Sequence, residues 1–391
     1  MLRVNKNFRN RSRTVKSEIV LLRSAVLVSL MFIVFQCKDD SDNSTPQPSS
    51  GQTFTVTDRF LTDPCGDKVI LKGFNKMSVF DEGDPNGANY FPEIAKSGAN
   101  SVRIVWQRTY SSGASSNLTQ LEELIKNCIK EKMIPIVEMH DATCDLTGLD
   151  QVVNYWISQP VLTIVKKYEQ SMLVNIANEA GDYTVTGNDF VTAYKSAITK
   201  MRNAGISTPL IIDAPDCGKN LEVVVPVASQ LVQHDPLHNI MISTHPYWSK
   251  TAGATPAFIA SQLNAATTAN VPLLLGEVAG YGGWPGENVD ETKSCSAEGL
   301  VDYASILTEA AKHDIGWLLW EWGPGNGFYD HDPVVLCPAM DITTNGTYAS
   351  IEAITANDAN AWAKDAVITG TYSLKNTAIK TPYINNGFVC P

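Results

Sequence analysis

Met172-Leu173-Val174-Asn175-Ile176-Ala177-Asn178-Glu179 is an apolar run that ends abruptly in two polar side chains. Nearly continuous apolarity over so few residues marks a strand buried on both faces, as in a parallel sheet covered by helices. The same figure recurs along the chain. Val69–Phe74, Ser101–Val105, Met133–Met139, Pro209–Ile212, Ile240–Thr244, Val271–Gly276 and Trp317–Trp320 read the same way. With Met172–Ala177, the runs end at 74, 105, 139, 177, 212, 244, 276 and 320. One strand–helix unit needs about 30 residues, so eight units fit. Between the second and third runs, Leu121, Leu124, Ile125, Cys128 and Ile129 keep helical spacing. Thr119 and Glu122 make a candidate capping box for that helix. Strand and helix repeated eight times predict a (β/α)8 barrel. An open doubly wound sheet is the rival, but no G-x-G-x-x-G follows the first strand. One catalytic domain is expected over residues 54–391.

In such barrels, chemistry sits at the C-terminal ends of the strands. Those ends carry Asn75, Arg103, His140-Asp141, Asn178-Glu179, Asp213, His245-Pro246-Tyr247, Glu277 and Trp320. Folding alone asks for turn residues there. It does not ask for an Arg, two His and two Glu against apolar runs. Strands four and seven lie on opposite sides of an eight-membered ring, so Glu179 and Glu277 should face each other across the mouth. Glycosidic cleavage needs two facing carboxyl groups, one protonated for the leaving oxygen and one ionised to attack the anomeric carbon. Arg103 beside Glu277 would hold that carboxylate ionised. The expected separation of the carboxyl groups is about 5–5.5 Å. Trp106, Trp248, Trp284 and Trp322 follow strands and are candidates to stack on sugar rings, whereas Trp156 and Trp362 lie on helical patterns and should be core.

This constellation resembles glycoside hydrolase family 5, in the clan with both glutamates on strands four and seven. The resemblance covers about residues 66–330. Asn178-Glu179 matches the family's Asn-Glu acid/base pair and Glu277 its nucleophile. Arg103, His140, His245, Tyr247 and Trp320 match other positions of its active site. Val137-Glu138-Met139-His140-Asp141-Ala142-Thr143, Asn175-Ile176-Ala177-Asn178-Glu179 and Asp235-Pro236-Leu237 look most like bacterial β-mannanases. The resemblance implies that Asn178 bonds the 2-hydroxyl of the attacked sugar, Tyr247 donates to the nucleophile and Trp320 forms a floor. Ala180 and Cys144 depart from the mannanase-like subgroup, which tends to have an aromatic residue and Gly there. The implied activity is a retaining endo-β-1,4-mannanase. An endo-β-1,4-glucanase is the alternative, and a surface glycan-binding protein with an inactive barrel ranks below both, because neither glutamate would then be needed.

The net charge is −11. Residues 1–37 carry Arg3, Lys6, Arg9, Arg11, Arg13, Lys16 and Arg23 against Glu18 alone, so the body is more acidic still. An acidic body repels phosphate backbones and argues against nucleic acid as a partner. A neutral β-linked polysaccharide suits it. The apolar run Ala25 to Phe35 is too short to span a bilayer and reads as a signal peptide. It stops at Cys37 and so resembles a bacterial lipoprotein signal, although Val34 and Gln36 stand where Leu and a small residue are usual. Lys38-Asp39-Asp40 resembles a surface-export tag, and residues 38–53 read as a polar tether. The expectation is a monomer, exported and held by lipid on Cys37 at the cell envelope, in the outer membrane or at the cell surface.

Cys128 lies on an apolar helix face and should be a buried thiol. Six cysteines remain, with fifteen possible connectivities. Loop positions in a barrel favour Cys65–Cys390, Cys144–Cys217 and Cys295–Cys337. No H-E-x-x-H or paired C-x-x-C is present, and the segment between His234 and His238 is turn-like. Neither a metal nor a nucleotide cofactor is expected.

Overall fold

Eight parallel strands close into a barrel in the computed structural model, which describes residues 52–79, 83–109, 115–282, 297–324, 327–328, 335–336 and 339–391. Cys37, the tether up to residue 51, Trp284, Cys295 and Cys337 lie outside the described residues. The strands are β1 (Lys72–Lys76), β2 (Ser101–Trp106), β3 (Ile134–Met139), β4 (Leu173–Asn175), β5 (Leu210–Asp213), β6 (Ile240–Thr244), β7 (Leu273–Val278) and β8 (Gly316–Leu319). Each pairs with the next, and β8 returns to β1.

The expected run Val69–Phe74 splits in two. Lys68–Val69 joins Phe60–Thr62 and Thr55–Thr57 in a separate antiparallel sheet, and β1 begins only at Lys72. Inside the lower barrel, Leu71, Ile134, Ile136, Leu173, Ile211, Met241, Leu274 and Leu318 form one apolar cluster. Phe54, Leu61 and Val69 join it with Tyr383, Ile384 and Phe388 from the C-terminal segment, so this end of the barrel is plugged by both ends of the domain. Each of these large side chains stabilises the fold by about 1.5–3 kcal/mol on burial. The Cys65–Cys390 bridge ties the two segments together.

The helix expected between β2 and β3 spans Leu118–Lys130 and buries Leu121, Leu124, Ile125 and Cys128. Its cap is Asn117, not Thr119. The Asn117 side chain accepts from the backbone N–H groups of Thr119 and Gln120, which places Thr119 inside the first turn. Cys128 is a buried free thiol, as its helix face required.

Candidate active site

Strand residues alternate between the barrel interior and the surrounding helices. Above the apolar plug, the inward positions turn polar. Asn75 pairs in register with Arg103, Glu138 with Asn175, and Asp213 with Ser243. Arg103 is fully buried and spends its guanidinium inside this layer. Nε donates to Asn175 Oδ1 at 2.8 Å. Nη1 donates to Asn75 Oδ1 at 3.0 Å and to Glu277 Oε1 at 2.7 Å. Nη2 donates to Asn178 Oδ1 at 2.7 Å and to Asp213 Oδ2 at 3.2 Å. Burial opposes its charge, but Glu138, Glu277 and Asp213 override that and raise an already high value further.

Glu277 reaches this layer through an irregularity. Leu274 points into the barrel, so strict alternation would put Gly276 inside and Glu277 outside. Between Leu275 and Val278 the register against β8 shifts: Leu275 faces Trp317, and Val278 faces Leu319. Three steps on β7 match two on β8, and the extra residue re-aims the side chain. Glu277 then accepts from Arg103 on one oxygen and from the Tyr247 hydroxyl on the other, at 2.7 Å. Burial pushes its carboxyl up, with Glu179 adding to the effect, and outweighs the opposing charges on His245 and Arg103. Arg103, expected from the sequence to hold this carboxylate ionised, is thus outweighed by burial. Burial also raises the Tyr247 hydroxyl, as do the nearby Glu277 and Glu179.

Glu179 stands at the end of the segment after β4. Its backbone sits at φ +48°, in the left-handed region, and its N–H donates to Asp213 Oδ2. Its Oε1 lies 2.6 Å from His245 Nδ1. Gly218, at φ +81°, allows this approach: a Cβ there would stand 2.9 Å from the His245 ring and 3.0 Å from Glu179 Oε1. His245 is fully buried. Burial opposes its charge, but Glu277, Asp213 and the bond to Glu179 raise it to about 9. Glu179, His245 and Glu277 each present an atom within 4.8 Å of the other two. A cation could be held at that spacing only in competition with Arg103 and Tyr247 for the Glu277 oxygens. The arrangement therefore suits proton transfer better than metal binding.

His140 bonds Glu138 at 2.9 Å and lies parallel to Trp320, with ring centres 6.5 Å apart. Burial opposes its protonation, and Glu138 reverses the balance and raises it. Asn178 is fixed from both ends, accepting from Arg103 and donating to Thr143 Oγ1 at 3.0 Å. Sequence reasoning gave no role to Glu138 or Asn175, because single polar residues vanish inside apolar runs. A Glu within a strand buried on both faces was the available signal.

The tryptophans divide. Trp320, near-buried, keeps its place at the site beside His140. Trp106, expected to stack on a sugar ring, is fully buried and donates to Tyr155. Trp322 is likewise buried and donates to the Gly346 carbonyl. Trp248 lines a cavity of about 320 Å³ with Tyr247, Asp216 and Lys219. Tyr183, more than half exposed in the loop behind Glu179, is a ring that sequence reading passed over.

Facing carboxyl groups at this spacing, in a barrel mouth, are the apparatus of glycoside hydrolases. A family model described as Cellulase (glycosyl hydrolase family 5) matches residues 62–326, and the chain belongs to that family. The mannan endo-1,4-beta-mannosidase of Salipaludibacillus agaradhaerens is 27% identical over 287 residues, covering 71% of this chain and 84% of that one. The enzyme of the same name from Cellvibrio japonicus (strain Ueda107) is 25% identical over 345 residues, 85% of this chain and 69% of that one. The mannotriose complex of Thermomonospora fusca beta-mannanase shares the fold, with a TM-score of 0.68 at 23% identity over 85% of this chain and 100% of that one.

Proposed function

We propose that this glycoside hydrolase is an endo-β-1,4-mannanase that retains anomeric configuration, with Glu277 as nucleophile and Glu179 as acid/base. The observation that carries the mechanism is the approach of the two carboxyl groups, whose oxygens come within 4.8 Å. Inverting enzymes need about 6.5–9.5 Å to admit a water between them. The substrate reading rests on the names of the relatives. In the first step, Glu277 Oε bonds to the anomeric carbon as the glycosidic C–O bond breaks. The leaving oxygen takes the proton that Glu179 shares with His245. In the second step, Glu179 takes a proton from water, the water oxygen bonds to the anomeric carbon, and Glu277 departs as carboxylate. Asn178, held by Arg103 and Thr143, is placed for the 2-hydroxyl, and Trp320 for the sugar's apolar face.

Product analysis on linear β-mannan, galactomannan and a soluble cellulose derivative tests the substrate. Oligosaccharides should appear from the two mannans, with the β-anomer formed first. Release only from the cellulose derivative would replace the mannanase by an endoglucanase. Glu277→Ala should abolish release from every polymer, and a fully active Glu277→Ala variant ends the mechanism.

The protein is further proposed to act as a monomer, exported and held at the cell envelope by lipid on Cys37. The support is the basic and apolar stretch before that residue and the polar segment after it. Cys37→Ala should move the activity from the membrane fraction to the soluble one. Unchanged membrane association of that variant would reject the anchor.

A further inference from the structure

Glu179 holds a backbone conformation that side-chain-bearing residues rarely adopt. Such a pose persists only when its surroundings over-determine it. Two loops supply the restraint. From the loop after β3, the Cys144 N–H donates to the Glu179 carbonyl at 2.9 Å, and Thr143 forms an antiparallel bridge with Ala180. From the loop after β5, the Cys217 N–H donates to the Gly181 carbonyl at 2.9 Å, and the Asp216 N–H donates to the Asp182 carbonyl. Segment 179–182 is thus gripped on both sides. The two gripping cysteines are bonded to each other.

We infer that the Cys144–Cys217 bridge is a positioning device for the acid/base: it locks the two loops that hold Glu179 in its left-handed pose. This rests on the reading of Glu179 as acid/base. Loop closure alone would make the bridge a general stabiliser, and that reading predicts no dependence on leaving group. The positioning reading predicts a specific one. Leaving groups that need a proton depend on Glu179, and good leaving groups do not. Glu277 is held by Arg103 and Tyr247, which the bridge does not touch, so attack on the anomeric carbon should survive.

The test compares kcat/KM on linear β-mannan with kcat/KM on 2,4-dinitrophenyl β-mannobioside for three variants: C144A/C217A, C65A/C390A and Glu179→Ala. C144A/C217A should lose about tenfold or more on mannan, part of the roughly 10²–10⁴-fold that general acid–base catalysis supplies. On the dinitrophenyl substrate it should stay within about twofold. Azide, which needs no general base, should raise kcat on that substrate. C65A/C390A, which opens the bridge at the plugged end, should keep the native ratio between substrates. Equal losses on both substrates, or none on either, overturn the positioning role while Glu179→Ala still shows the leaving-group dependence. Equal losses in Glu179→Ala itself would remove the acid/base reading and this inference with it. Should C144A/C217A fail to fold, a folded C65A/C390A variant that also carries C295A and C337A, treated with a phosphine reductant, gives the same comparison. Reoxidation should then restore the native ratio, and a ratio unmoved by reduction would overturn the role.

Discussion

At the scale of single residues, Glu277 sits between opposing influences. Burial favours its neutral form, while Arg103 and His245 favour the carboxylate, and burial prevails. The nucleophile works only when ionised. A raised carboxyl therefore loses activity as pH falls through a value above the ordinary glutamate figure of about 4.3. The acid limb of the kcat/KM profile on mannan should lie above that figure. An acid limb at or below it would mean that the neighbouring cations outweigh burial. Glu179 keeps one oxygen against His245 Nδ1 at 2.6 Å. The two carboxyl groups thus have different partners, Arg103 and Tyr247 for Glu277 and His245 for Glu179.

At the scale of elements, the strand rhythm was legible because all eight strands are buried on both faces and so read as apolar runs. Ile240–Thr244 matches its run residue for residue. Met172–Ala177 is regular strand only over Leu173–Asn175; beyond it, Ile176 and Asn178 still donate to the Ile211 and Met139 carbonyls as the chain turns toward Glu179. Apolarity measures burial, and a buried segment need not be a strand throughout. The Trp106 error has a parity behind it. Arg103 faces the barrel interior, so a residue three further along the same strand faces the helices, where Trp106 meets Tyr155. Counting from Arg103 would have found this. The same count would have misplaced Glu277, because the extra residue in β7 leaves no compositional trace. Hydrogen bonds between strands far apart in sequence, such as Arg103 to Asp213, depend on closure of the ring, and no local pattern carries them.

At the scale of the whole molecule, the barrel has a plugged end and a working end, each with its own disulfide. Cys65–Cys390 spans 325 residues of chain, and closing so long a loop restricts the unfolded state strongly. C65A/C390A should lose about 3–5 kcal/mol of unfolding free energy in guanidinium titration, with kcat/KM on mannan unchanged. A loss of activity with no loss of stability would contradict this division of labour between the ends. The working end has a further division. An arginine offers five N–H donors, and Arg103 directs them to Asn75, Asn175, Asn178, Asp213 and Glu277. None is left for a polymer to engage. The reaction is therefore set by groups that answer to one another, and apart from Asn178 the contacts that select a polymer fall to residues that Arg103 does not touch. Side chains exchanged around the mouth, away from the loops that grip Glu179, would leave that network and its chemistry as they are.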